Sequence, residues 1–190
     1  MSKERQHFLD WFLYPRNIAV VGASNNPSRP NFYLFKNLIG LGFQGKVYPV
    51  NPTTNAVQGV RAYSRLRDIE EAIDLVICAV ATPMTLDVIR DCVQKKVKGV
   101  VIVSGGFSEI GQEGAKLQDE IAHLLKESGI KATGPNTLGP INTSNNLAVS
   151  FHPIEQLRRG TLSFIFQSGL YEPRLSWLFS DFHLGISKLM

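Results

Sequence analysis

The residues most able to do chemistry sit in short polar, glycine-rich segments that follow apolar runs. Gly22-Ala23-Ser24-Asn25-Asn26-Pro27-Ser28-Arg29-Pro30 comes directly after the run 18–21 and before a helical pattern. At such a strand-to-helix turn, backbone N–H groups and the helix dipole favour an anion, and the guanidinium fork of Arg29 suits phosphate oxygens. Only the first glycine of a GxGxxG pattern is present, so the dinucleotide signature is incomplete. A turn carrying a solvated arginine is the plainer reading of the same residues.

Four further segments have the same character. In Tyr48-Pro49-Val50-Asn51-Pro52 no carboxylate stands at the strand end where one would bond the ribose 2′-hydroxyl of NAD, although Asn-Pro also initiates ordinary turns. Ala79-Val80-Ala81-Thr82-Pro83 passes from a buried run into a helix, with Thr82 expected as N-cap and Pro83 in the first turn. So small a turn also lets an extended ligand lie against backbone. Ser104-Gly105-Gly106-Phe107-Ser108-Glu109 and Gly134-Pro135-Asn136-Thr137-Leu138-Gly139-Pro140 complete the set. Each alone could be turn chemistry. Together at one sheet edge they argue for a ligand site.

The elements that must position these segments are legible as alternating apolar runs and helical patterns. Runs at 18–21, 47–50, 75–80, 100–103 and 130–133 are mostly Val and Ile with few polar interruptions, as expected of strands buried on both faces. Between them, 32–41, 85–95 and 111–128 carry apolar residues at three- and four-residue spacing, with Leu117, Ile121, Leu124 and Leu125 on one face of the last. This βαβ rhythm predicts a doubly wound α/β fold with a mostly parallel sheet and right-handed crossovers. Gly40, Gly42 and Gly129 stand where helix C-caps belong. Ligands in such sheets bind at the carboxyl ends of the strands, where all five segments fall.

Residues 142–146 break the rhythm, and 147–151 followed by Pro153 reads as an extended connection. The expected organisation is one domain over 1–145, then a linker and the unfinished start of a second α/β domain over 146–190. In that second part, a strand at 161–166, a turn at Gln167-Ser168-Gly169, part of a helix at 175–179 and a strand at 186–189 are expected.

Composition narrows the classes. Twenty Lys and Arg against sixteen Asp and Glu give a net charge of +4, too scattered for a nucleic-acid tract but compatible with an anionic small ligand. Cys78 and Cys92 show neither CxxC spacing nor a histidine cluster, so they read as reduced, buried thiols with no metal site. No apolar run approaches the roughly 20 residues that span a bilayer, making a cytoplasmic, non-membrane protein the expectation. The apolar face of an unfinished second domain would favour self-association, such as a homo-oligomer, or poor solubility.

Four ordered motifs carry a resemblance: the residues from Pro15 to Ser24, those from Val47 to Pro52, those from Ser104 to Glu109 and those from Gly134 to Gly139. Together they resemble the Rossmann-like CoA-binding domain of NDP-forming (ADP-forming) acyl-CoA synthetases, with succinyl-CoA synthetase α subunits as more distant relatives. The resemblance covers nearly all of the chain from Phe12 onward. It implies CoA or acyl-CoA as ligand, with phosphates and adenosine near Gly22, Ala23, Ser24, Arg29, Asn51 and Pro52. The pantetheine arm would pass Val80, Ala81, Thr82, Pro83, Ser104, Gly105 and Gly106, with Gly134, Pro135 and Asn136 on the same edge. Thr53 stands where the family often has lysine.

The same resemblance implies a second, flavodoxin-like domain, a phosphorylated histidine in a Gly-His-rich loop, and an ATP-grasp domain or subunit as partner. No such loop occurs here. His7 and His123 fall in helical patterns, His152 in the connection and His183 near the end, so none is assigned a catalytic role. Gln167-Ser168-Gly169 resembles the turn before the phosphate-facing helix of the second domain, with Ser168 and Gly169 as phosphate-binding candidates. Phe166 and the run Leu170-Tyr171-Glu172-Pro173 depart from that pattern, and Glu172 would repel phosphate.

The full enzyme implied would convert acyl-CoA, ADP and phosphate to carboxylate, ATP and CoA, while this chain would bind without turnover. A stand-alone CoA-binding or regulatory module is the alternative, and an NAD(H)-binding Rossmann protein a third that Asn51-Pro52 disfavours. Acyl substrate, nucleotide, oligomeric state and any fused acetyltransferase domain are not written in these residues.

Overall fold

The structure is a computed structural model that describes residues 7–156, 158–169 and 183–190. The described chain runs α1 (Asp10–Leu13), β1 (Asn17–Val21), α2 (Asn31–Gly40), β2 (Lys46–Val50) and a hairpin of β3 (Ala56–Val57) and β4 (Val60–Arg61). It continues through β5 (Leu75–Cys78), α3 (Thr85–Lys95), β6 (Gly99–Ile102), α4 (Gln112–Ser128) and β7 (Lys131–Thr133). A second hairpin, β8 (Ile141–Asn142) and β9 (Leu147–Ala148), is followed by β10 (Arg159–Phe164) and β11 (Ile186–Leu189).

The five apolar runs form one parallel five-stranded sheet in the order β2-β1-β5-β6-β7. Alternate residues feed two cores, because side chains on a strand point to opposite faces. Ala19, Val21, Val76, Cys78, Val100 and Ile102 pack with Ile89 and Cys92 of α3 and Ile121 and Leu125 of α4. Ile18, Val20, Leu75, Ile77 and Val101 pack with Leu34, Phe35 and Leu38 of α2 and with Phe12 of α1. The winding explains this division. The step from β1 to β2 runs one way along the sheet and the steps from β5 to β7 the other, so right-handed crossovers put α2 on one face and α3 and α4 on the opposite one. The fold class is therefore the doubly wound α/β sheet expected from the sequence.

Helix ends follow the expected glycine chemistry. After α2, Gly42 takes a left-handed φ of +69°, with its N–H bonded to Ile39 O at 3.1 Å and the Phe43 N–H to Leu38 O at 3.0 Å. These two bonds satisfy carbonyls that the helix leaves open, and Phe43 and Leu38 join the same core. Gly129 closes α4 with φ +74°. Gly40 is helical, not a cap.

The largest departure from expectation lies after β7. Residues 147–151 do not read as a connection leading away: Leu147 and Val149 are fully buried in the α2-side core, and 143–146 is the turn of the β8–β9 hairpin. Alternate apolar residues in Leu147, Val149 and Phe151 were the available signal. The second sheet, β10-β11-β8-β9, pairs β10 parallel to β11 and β11 antiparallel to β8, and so draws strands from both sides of position 145. Its strand expected at 161–166 begins two residues earlier, at Arg159, while the one at 186–189 stands as expected. The helix expected at 175–179 and residues 170–173 lie outside the described residues.

Burial keeps both cysteines as thiols, pushing Cys78 up to about 12 and Cys92 well above its ordinary value. Among the described residues no group of three or more His, Cys, Asp or Glu could hold a metal ion, and no helix is long and apolar enough to cross a membrane.

Candidate functional site

All five segments follow the carboxyl ends of the parallel strands, so the sheet carries them to one edge. The strand order changes direction between β1 and β5, the point at which open α/β sheets take up their ligands. There the backbones touch. Gly22 has φ +91°, and a Cβ on it would lie 2.4 Å from Ala79 O. Its N–H is bonded to Val50 O at 2.9 Å, which joins the second loop to the first.

Side-chain amides then fix the first loop. Asn51 donates from Nδ2 to Ala23 O at 2.8 Å, while its Oδ1 accepts the Thr53 N–H and the Thr53 hydroxyl, each at 2.8 Å. Asn51 thus sits beside the first loop as a neutral donor, where a dinucleotide site would place a carboxylate. Asn31 at the start of α2 donates to Gly22 O. Ala23 and Ser24 are buried, whereas Arg29 and Pro52 are exposed to any ligand over the edge. The first turn of α2 offers fewer free donors than its position implied, because the N–H groups of Phe32 and Tyr33 already bond Arg29 O and Pro30 O at 3.0 and 3.2 Å.

Sequence reasoning missed the β3–β4 hairpin, which braces this loop from outside. Gln58 donates from Nε2 to Ser24 O and Phe32 O at 3.2 and 3.0 Å, and its N–H bonds Asn25 Oδ1 at 2.7 Å. Gln58 and Gly59 both have positive φ, 49° and 83°, so the tight Gln-Gly turn between Val57 and Val60 was the available signal.

The third, fourth and fifth loops are laced together by hydroxyls and backbone. Ser104 Oγ donates to Val80 O, Thr82 Oγ1 to Gly105 O at 2.5 Å, and Asn136 N–H to Ser104 O at 2.9 Å. Thr82 is therefore not the N-cap expected of it. Its hydroxyl reaches across to loop four, and α3 begins only at Thr85, after a 3-10 turn over Thr82–Met84 that holds Pro83. Gly106 has φ +94° and faces Thr82, whose Oγ1 would lie 2.8 Å from a Cβ there. Gly134 also has a positive φ, of 98°, and is packed on Ile102 O. Pro135 and Asn136 complete this side of the edge, with Asn136 exposed.

Glu109 was quoted in a motif but given no role. Its carboxylate accepts the N–H of Gly106 at 2.6 Å and of Phe107 at 3.0 Å, and these bonds, that of Gly106 foremost, hold its pKa below the usual carboxylate value. The stabilisation follows the sign of that shift: it is present above the unfolded pKa and lost as pH falls through the lowered folded value. Near the second sheet, Gly169 lies against the fifth loop, with a Cβ there 3.3 Å from Leu138. Ser168 is half-buried beside it.

The histidines give no cluster. His7 precedes α1 instead of lying in it, its N–H bonded to Asp10 Oδ2 at 3.0 Å; His123 pairs with Glu127 on the exposed face of α4, and His152 and His183 are exposed.

A family model described as a CoA binding domain matches residues 16–143, the stretch that builds this edge. The chain belongs to that CoA-binding domain family. It is 37% identical over 180 residues to acetate–CoA ligase [ADP-forming] II of Archaeoglobus fulgidus, covering 94% of this chain and 27% of that protein. It is 39% identical over 183 residues to the α subunit of acetate–CoA ligase [ADP-forming] II of Pyrococcus furiosus, covering 96% of this chain and 39% of the subunit. The chain thus spans well under half the length of these relatives. Among solved structures, the dinucleotide-forming acetyl-coenzyme A synthetase 1 of Ca. Korarchaeum cryptofilum, in complex with phosphate and ADP, superposes with a TM-score of 0.89 at 33% identity, over 96% of this chain and 39% of that one. The CoA-binding domain accordingly shares both sequence and fold with part of the ADP-forming synthetases.

Proposed function

We propose that the carboxyl edge of the parallel sheet holds CoA or acyl-CoA, as the CoA-binding portion of an ADP-forming acyl-CoA synthetase. The observation that carries this reading is the close meeting of the first and third loops at the point where the strand order reverses, in a chain of the CoA-binding domain family. Gly22, Ala23, Ser24, Arg29, Asn51 and Pro52 receive the adenosine and phosphate end. Arg29 is the exposed guanidinium there, able to bond phosphate oxygens in pairs. Val80, Ala81, Thr82, Pro83, Ser104, Gly105 and Gly106 line the path of the pantetheine arm, with Gly134, Pro135 and Asn136 beyond. Small residues and backbone suit an extended, mostly neutral chain.

Ser168 and Gly169 stand beside the fifth loop, where a phosphate reached by the thioester end would bind. The whole enzyme would exchange the acyl thioester with phosphate and pass the phosphoryl group to ADP with an ATP-grasp domain or subunit as partner. This chain binds and orients.

Calorimetric titration with CoA, dephospho-CoA and NADH tests the reading. CoA is expected to bind saturably, and loss of the 3′-phosphate or an Arg29→Ala change to weaken binding by about tenfold, the value of one charge-assisted contact. NADH binding in the absence of CoA binding would overturn it in favour of a dinucleotide, against the neutral Asn51.

A further inference from the structure

The fourth loop contains an internal anion. Successive N–H groups turned to one side, such as those of Gly106 and Phe107, form a concavity that attracts negative charge. In this protein the Glu109 carboxylate fills it, one oxygen on each N–H, at 2.6 and 3.0 Å. The bonds fix the loop from one side while Thr82 Oγ1 holds Gly105 O from the other. Between them Gly105 is half-buried, with two side-chain oxygens closed over it: a Cβ there would lie 3.1 Å from Glu109 Oε1 and 3.2 Å from Asn136 Oδ1. That patch offers a carboxylate oxygen, an amide oxygen and backbone, which suit N–H groups and repel phosphate.

The two ends of the carboxyl edge therefore differ in charge. Arg29 is exposed in the first loop, and the Glu109 carboxylate is exposed in the fourth. We propose that Glu109 is a positioning residue that shapes the Gly105–Gly106 backbone for the amide arm of CoA and turns the ligand's phosphates toward the first loop. The inference rests on the CoA reading above and adds to it a determinant of ligand direction. Glu109 makes no bond to reacting atoms; it acts through the loop it holds and through its charge.

The test compares CoA with adenosine 3′,5′-bisphosphate, which has the phosphorylated adenosine end but no pantetheine arm. Glu109→Ala should weaken CoA binding by about tenfold, equivalent to the loss of one or two charge-assisted hydrogen bonds, and leave the bisphosphate within about twofold. Glu109→Gln, which keeps the size of the side chain and one acceptor oxygen, should fall between wild type and Glu109→Ala for CoA. Retained bisphosphate binding also reports that each variant is folded. Unchanged CoA affinity in Glu109→Ala, or equal losses for both ligands in Glu109→Gln, would overturn the inference while leaving the CoA reading intact. A wild-type chain that binds no CoA would instead remove the reading beneath it, and the inference with it.

Discussion

Replacing Gly22 by alanine is expected to lower unfolding free energy by about 3 kcal/mol and to remove CoA binding, because two independent penalties fall on one atom. The backbone at Gly22 has φ +91°, a conformation that disfavours any Cβ, and that Cβ would lie 2.4 Å from Ala79 O and 2.9 Å from its carbonyl carbon. Neither neighbour can yield cheaply. Ala79 N–H is bonded to Val21 O at 2.9 Å, and Gly22 N–H to Val50 O at 2.9 Å, so relief would have to separate the ends of β1, β2 and β5. Gly59→Ala provides the control: φ is +83°, but nothing lies within 4 Å of the added carbon. It should cost only about 1 kcal/mol, the left-handed penalty alone. Urea unfolding of the two variants separates clash from conformation, and equal losses would show that the contact with Ala79 contributes nothing.

Asn37→Leu should destabilise the fold by about 3 kcal/mol despite preserving volume, since it strips partners from one buried and two half-buried backbone groups. Asn37 is only 3% exposed on the core side of α2. Its Nδ2 donates to Ser150 O at 3.2 Å and His152 O at 2.8 Å, and its Oδ1 accepts the Ile154 N–H at 3.2 Å. One amide thereby fastens residues 150–154 to the helix that follows the first loop. The leucine would leave two carbonyls and one N–H without a partner, and a change smaller than about 1 kcal/mol in urea unfolding would show that water replaces the amide.

These two positions also show what a sequence discloses and what it withholds. The parallel strands and three crossover helices were legible because burial on both faces makes a strand continuously apolar, and a helix covering one face of a sheet repeats its apolar residues at three and four. The five loops were legible for a related reason, since their places after the strands follow from the winding. Contacts between distant segments were not. Asn37 reads as an ordinary polar residue in a helix until residues 150–154 are folded against it, and Thr82 reads as a cap until loop four supplies Gly105 O.

Residues 147–151 were misread for the same reason. A short alternating stretch after a polar turn fits an outgoing connection as well as a hairpin, and only the uncovered face of β5 and β6 decides between them. Gln58-Gly59 was a readable turn signal overlooked because β3 and β4 are two residues each. Glu109 lay within a quoted motif, but its role depends on the side chain folding back onto N–H groups two and three residues earlier.

The central claim is that CoA binds at the carboxyl edge of the parallel sheet, and amide chemical-shift mapping during a CoA titration tests it most directly. The opposite edge supplies an internal control, an open depression of about 520 Å³ lined by Tyr14, Arg16, Phe43, Lys46 and Asn145 at the starts of β1 and β2. The expected result is a set of saturable shifts at Gly22 to Arg29, Asn51, Val80 to Thr82, Gly105, Gly106 and Asn136, with Arg16, Gln44, Lys46 and Asn145 unmoved. Shifts confined to that opposite edge, or none at saturating CoA, would contradict the account.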